Sequence, residues 1–313
     1  MSILMVILTY AIWSSTFSIG KWTLAYTSPL FLTSARMVLA GIILLVYLIL
    51  FRRKSLKINL KQFISIIIMA TFSIYLTNAF EFWGLQHLSA AKTCFIYSLS
   101  PFFAALFSYI HFKERMNKKK WIGMGIGFLG FLPVLSTQTG SESLLQAFSF
   151  VSWPELAIMG AALCSVYGWV LLRLAVKDQE IPTLTANGIG MLFGGFLALI
   201  NSFLVESWSP TPVSAGNVMP FLGGTLLMTL ISNIICYNLY GMMLKRFTAT
   251  FLSFMGLLSP IFASLNSWIV LGEKPSLVIF ASTTVVSLGL WMVYQAELKQ
   301  GYIQSDSKKP VDA

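Results

Sequence analysis

Apolar runs of membrane-crossing length, separated by short polar stretches, recur along the chain from Ile3 to Ala296. They lack the alternation of apolar and polar positions that would give an element a wet side. A helix needs about 20 apolar residues to cross the hydrocarbon core of a bilayer. Runs of that kind predict ten spans, near 3–23, 30–51, 62–84, 90–111, 121–137, 155–173, 184–205, 219–241, 248–270 and 278–296. The first, "MSILMVILTYAIWSSTFSIGKW", has no basic segment ahead of its apolar run and so reads as a retained span rather than a cleaved signal.

Composition turns this pattern into a class. Of 313 residues, 57% are hydrophobic and 10% are charged, against about 25% charged in an ordinary soluble domain. So little charge cannot cover a water-facing surface, and the lipid bilayer is the expected partner. The net charge of +10 would point to nucleic acid only if it formed a basic face on a soluble fold; here it sits in clusters between spans, and no nucleic-acid partner is expected. With the N-terminus inside, the segments facing the cytoplasm carry 17 of the 21 Lys and Arg residues, among them Arg52 to Lys61, Lys113 to Lys120, and Lys245 and Arg246. Basic residues are retained on the cytoplasmic side of short loops, so both termini are expected in the cytoplasm.

One stretch is written twice. "SPFFAALFSYIHFKE" at 100–114 returns as "SPIFASLNSWIVLGE" at 259–273, about 159 residues on. Aligned without gaps, 80–134 and 239–293 share 15 identities, including Ser100/Ser259, Pro101/Pro260, Glu114/Glu273 and Gly130/Gly289. Five spans per copy is an odd number, so the second copy must lie upside down in the membrane. The expected fold class is an all-α membrane protein of ten transmembrane helices in two inverted five-helix repeats. Its parts are 1–137 for the first repeat, 138–154 for an external linker, 155–296 for the second repeat and 297–313 for a cytoplasmic tail. Inverted repeats are the architecture of secondary transporters, whose halves rock around a site at the midplane.

With this doubling, "AIWSSTFSIGK" in the first span, "SPLFLTSAR" leading to Arg36, and the terminal "KER" and "GEKPS", the chain resembles the drug/metabolite transporter superfamily, in its ten-helix metabolite exporter branch, over residues 3–296. In size and repeat pattern it is similar, within that superfamily, to the S-adenosylmethionine and S-adenosylhomocysteine carriers of intracellular bacteria. The resemblance implies a carrier with a central cavity in a bacterial inner membrane, monomeric or else dimeric, and names no substrate; a small organic metabolite bearing an amino-acid-like pair of charges is the expected one. Export of amino acids or toxic amphiphiles is the alternative. A membrane-embedded transferase is the distant one: only His87 and His111 exist and no carboxylates pair inside the spans. No Gly-x-x-x-x-Gly-Lys loop, cofactor motif or metal-spaced cysteines are present; Cys94, Cys164 and Cys236 all lie in apolar runs. "GMGIGFLG" at 123–130 reads as a helix-packing surface.

Candidate substrate-binding residues follow from polar groups inside apolar spans, where a charge is costly unless paired or wetted. Glu81 is the acidic residue deep in the third span, and Thr77 and Asn78 share its helical face; hydration at the outer interface is the competing reading. In the second copy Tyr237 and Tyr240 match, with Asn233 a turn earlier. Lys21 and Arg36 could hold a substrate carboxylate or reach the interface as scaffold. Trp13, Tyr97, Tyr167 and Trp169 could stack a flat ring. Pro101 and Pro260, inside their predicted spans, are candidate hinges or packing kinks.

Overall fold

The computed structural model describes residues 3–88, 93, 96–97, 99–138, 152–209, 211–213, 216–259, 261–262 and 277–302. Among these, every extended element is helical, and the only β contact is an isolated bridge between Thr27 and Val213.

The helices follow the apolar runs, with refinements. The first run is broken at Ser14 into α1 (Ile3–Trp13) and α2 (Ser15–Leu24). α3 (Pro29–Phe51) opens on a proline, whose missing N–H falls where a helix has no use for it. The third run is one continuous rod from Leu60 to His87, made of α4 (Leu60–Ala70), a π-helical stretch (Thr71–Leu76) and α5 (Thr77–His87). α6 is Ser100–Phe112 and α7 Lys118–Gln138. α8 (Trp153–Arg173) and α9 (Thr183–Val205) follow. The eighth run repeats the build of the third: α10 (Val218–Met228), a π stretch (Thr229–Cys236) and α11 (Tyr237–Met243). α12 (Ala249–Met255) and α13 (Leu277–Lys299) complete the described set.

Polar residues at the joints explain the starts. Asn59 and Gln62 form a reciprocal cap at the head of α4, with Gln62 N donating to Asn59 Oδ1 at 2.8 Å and Asn59 N to Gln62 Oε1 at 2.9 Å. Ser152 and Glu155 do the same for α8. Pro101 stands in the first turn of α6, whose cap is Leu99, where a missing N–H is tolerated. Pro260 and Glu273 lie outside the described residues.

Among the described residues, five helices, Pro29–Phe51, Leu60–His87, Trp153–Asp178, Thr183–Val205 and Val218–Met243, are long and apolar enough to cross a membrane. Their outer faces expose large side chains such as Ile42, Val46, Leu50, Phe196, Ile200 and Leu230. Water would not tolerate so broad an apolar surface, whereas lipid covers it without cost. The chain is a multi-pass membrane protein.

Packing pairs α3 with α9, α7 with α13 and α6 with α12. The third run packs on α8, and the eighth on α1 and α2. Close contacts need glycine at a few places. A Cβ on Gly289 would stand 2.5 Å from Gly123 O and 2.7 Å from Gly127 N, so α7 and α13 touch backbone to backbone through the glycine-rich face. Gly168 plays that part between α8 and the π stretch, where a Cβ would lie 2.3 Å from Ser73 Cβ.

Candidate functional site

A cavity lies where α1, α3, α5, α8, α11 and α12 converge. Its walls divide into an aromatic part and a charged part.

The aromatic part is built from three separate elements. Trp13 ends α1, Trp169 comes from α8, and Tyr237 and Tyr240 lie one helical turn apart on α11. Ring centroids are 5.9 Å apart for Trp13 and Trp169, 5.5 Å for Trp13 and Tyr237, and 4.3 Å for Trp169 and Tyr240. The planes are tilted or edge-on, the arrangement aromatic quadrupoles prefer. Trp13 Nε1 donates to Ser232 Oγ at 3.2 Å, which fixes the indole. Below this group Tyr10 Oη donates to Leu252 O at 2.6 Å, tying α1 to α12.

The charged part holds Arg36 and Glu81. Arg36 is only 3% exposed, so it does not reach an interface, and its guanidinium carbon lies 5.0 Å from the ring centroid of Phe82. Nη2 donates to Asn78 Oδ1, and Nη1 approaches Asn233 Oδ1 at 3.5 Å. Glu81, half-buried, accepts a 2.7 Å hydrogen bond from Tyr97 Oη at Oε2. Arg36 and Glu81 line the same cavity, yet among the described residues the ion pairs within 4.0 Å are those of Lys120 with Glu297 and Arg173 with Glu114. The cavity thus presents a cation and an anion that lie beyond direct ion-pair contact with each other.

The π stretches position this wall. A π turn widens the helix and loosens its carbonyls, and such turns collect at functional sites. Thr77 Oγ1 donates back five residues to Phe72 O at 2.8 Å, and Asn78 Nδ2 to Ile74 O at 2.6 Å. In the eighth run Asn238 Nδ2 donates to Ile234 O at 2.8 Å.

Of the residues expected from the sequence, Trp13, Arg36, Thr77, Asn78, Glu81, Tyr97, Trp169, Tyr237 and Tyr240 line the cavity. Asn233 stands one layer behind, fully buried against Arg36 and Met37. Lys21 does not take part: Thr16, Gly20 and Thr23 form the inward face of α2, and Lys21 falls on its exposed side with Trp22. Tyr167 packs on Phe72 and Phe107, away from the cavity. Tyr10, Ser165, Ser232, Ser253 and Ser259 line it as well and were not expected; small hydroxyls and one more tyrosine give no contrast within spans already rich in both. Lys120, one of the basic residues expected in a cytoplasmic segment, is 1% exposed and lies 3.0 Å from Glu297, itself fully buried one residue past the tenth predicted span.

Comparison with known proteins gives this cavity its setting. A relative in Chlamydia muridarum, the S-adenosylmethionine/S-adenosylhomocysteine transporter, is 40% identical over 307 residues, covering 97% of this chain and 95% of its own. The protein of the same description in Chlamydia trachomatis serovar L2 is also 40% identical, covering 97% and 92%. The uncharacterised transporter YyaM of Bacillus subtilis is 28% identical over 86% of both chains. A solved crystal structure shares the fold at TM-score 0.74 and 17% identity, over 95% of this chain and 96% of that one. The profile of the EamA-like transporter family matches residues 1–136 and 152–295. A polar, aromatic-walled cavity inside a lipid-covered helical body is therefore the interior of a transporter, and this chain belongs to the EamA-like transporter family of the drug/metabolite transporter superfamily.

Proposed function

We propose that this chain is a secondary carrier of S-adenosylmethionine and S-adenosylhomocysteine, which it binds in the cavity and moves by alternating access. The observation that carries the reading is the meeting of Arg36 and Glu81, unpaired with each other, beside the ring cluster of Trp13, Trp169, Tyr237 and Tyr240. Both proposed substrates combine an amino-acid end, with an ammonium and a carboxylate, and a flat base. S-adenosylmethionine adds a sulfonium cation, which aromatic faces attract. The Chlamydia relatives, at 40% identity over nearly the full chain, support the same choice.

The body is read as two inverted five-helix repeats, 1–137 and 155–296, joined by the linker 138–154 and followed by the tail 297–313, in a monomer whose termini face the cytoplasm of a bacterial cell. Two facts support it. The π stretches fall at matching places in the third and eighth runs, and the packing partners exchange when the halves are exchanged: third run on α8, eighth on α1 and α2. Orientation is tested by an impermeant thiol reagent on Lys118→Cys and Ser141→Cys, each in a chain lacking native cysteines. Labelling of the first from outside, with the second protected, overturns it.

The function is tested in proteoliposomes. Uptake of labelled S-adenosylmethionine should be accelerated by S-adenosylhomocysteine loaded inside. Uptake of amino acids or lipophilic amines with no S-adenosylmethionine uptake contradicts the reading and favours the exporter alternative.

A further inference from the structure

The two amides that hold Arg36 are both committed elsewhere by their nitrogens. Asn78 Nδ2 donates to Ile74 O at 2.6 Å, and Asn233 Nδ2 contacts Met37 Sδ at 2.7 Å. Each amide oxygen is thereby turned toward the guanidinium. Behind them Asn187 Nδ2 donates to Asn238 Oδ1 at 2.9 Å, and Asn238 Nδ2 reaches Asn233 O at 3.4 Å, so the clamp is backed by a buried polar chain. Neutral oxygens fix the position of Arg36 but do not cancel its charge. Among the described residues its Nε has no hydrogen-bond partner and no carboxylate lies within ion-pair distance. A buried cation with donors to spare, against the face of Phe82, is costly until an anion arrives.

From this we infer that Arg36 is the carboxylate receptor of the cavity and selects α-amino acids over the amines that lack the carboxylate, with the substrate's ammonium lying toward Glu81 and Tyr97. Arg36 is the one cation among the described residues lining the cavity, and a single fixed guanidinium suits a singly charged, planar anion, which it can grip with two parallel N–H groups. The rest of the substrate then extends toward Trp13 and Trp169. The inference rests on the cavity being the substrate site, but not on which amino acid fills it.

The test measures binding to purified full-length protein by calorimetry for two matched pairs: S-adenosylhomocysteine and its decarboxylated amine, and phenylalanine and phenethylamine. In the wild type the acid of a binding pair should be favoured by about tenfold or more, the weight of one desolvated charge-assisted pair. Arg36→Met should bring acid and amine within about twofold of each other while the amine binds as before, and Arg36→Lys should keep part of the preference. Equal affinity of acid and amine in the wild type, equal weakening of both by Arg36→Met, or failure of both pairs to bind overturns the inference. If Arg36→Met does not fold, the wild-type ratio and Arg36→Lys decide. Should only the phenylalanine pair bind, with a ratio that Arg36→Met erases, the carboxylate receptor stands and the S-adenosylmethionine reading falls.

Discussion

At the scale of single residues, the cavity wall holds two unlike charges, Arg36 and Glu81, beyond direct ion-pair contact. Glu81 is anchored by Tyr97 and lines the cavity. Glu81→Gln keeps size and hydrogen bonding while removing the charge. For a cationic substrate we expect a loss of about 1.5–3 kcal/mol, roughly tenfold to a hundredfold in affinity, with a much smaller loss for a neutral analogue. Competition by both analogue classes against labelled substrate reads this; equal weakening would mean that Glu81 only supports the wall. Glu81, Asn78 and Arg36 were legible in the sequence because each is an isolated polar group in an apolar run. Lys21 looked the same by that criterion. What separates it from Arg36 is the rotation of its helix, set by tertiary packing and not by any local signal.

At the scale of elements, the helices are held by a few backbone approaches. α8 crosses the π stretch of the third run at Gly168, where a Cβ would meet Ser73 Cβ at 2.3 Å and its Cα at 2.6 Å. Since backbone cannot give way as a side-chain tip can, Gly168→Val should cost about 1–3 kcal/mol or more through overpacking and lower the melting temperature in detergent. Gly125, inside α7 with nothing within 4 Å of its Cβ position, is the control: Gly125→Ala should melt no lower than the wild type, since Ala is the better helix former. A wild-type melting temperature for Gly168→Val would contradict this account of the crossing. The glycine-rich run was readable as a packing surface, and the contact of Gly123 with Gly289 bears that out. The π stretches were not readable. They arise where polar side chains accept the work of loosened carbonyls, as Thr77 does for Phe72, and "TFSIYL" carries no mark that distinguishes it from ordinary helix.

At the scale of the whole molecule, two buried ion pairs join parts that are distant in the chain. Lys120 at the head of α7 meets Glu297 near the end of α13 at 3.0 Å, with Thr248 Oγ1 donating to the same carboxylate at 2.6 Å. Arg173 at the end of α8 meets Glu114 at 2.6 Å, under the ring of Phe112. Removing one partner leaves a buried charge without its counterion. Lys120→Met or Glu297→Leu alone should therefore destabilise by about 3–5 kcal/mol, while the two changes together should recover most of that loss. Thermal unfolding of the single and double variants checks it, and additive losses in the double variant would exclude a coupled pair. By sequence Lys120 is one of the basic residues that set the topology, and the tenth apolar run ends one residue short of Glu297. A charge's sign and position along the chain do not say whether a partner waits across a helix interface.

The central claim is that the substrate occupies the cavity between Arg36, Glu81 and the aromatic cluster. Ser165 lines that cavity from α8, so Ser165→Cys, in a chain whose native cysteines are replaced by alanine and which still transports, places a thiol on its wall. The decisive measurement is the rate at which a small thiol reagent modifies this cysteine as S-adenosylhomocysteine is added. We expect modification to slow, with half-protection at the concentration that half-inhibits uptake of S-adenosylmethionine. An unchanged rate at concentrations that abolish uptake would place the substrate elsewhere and contradict the account.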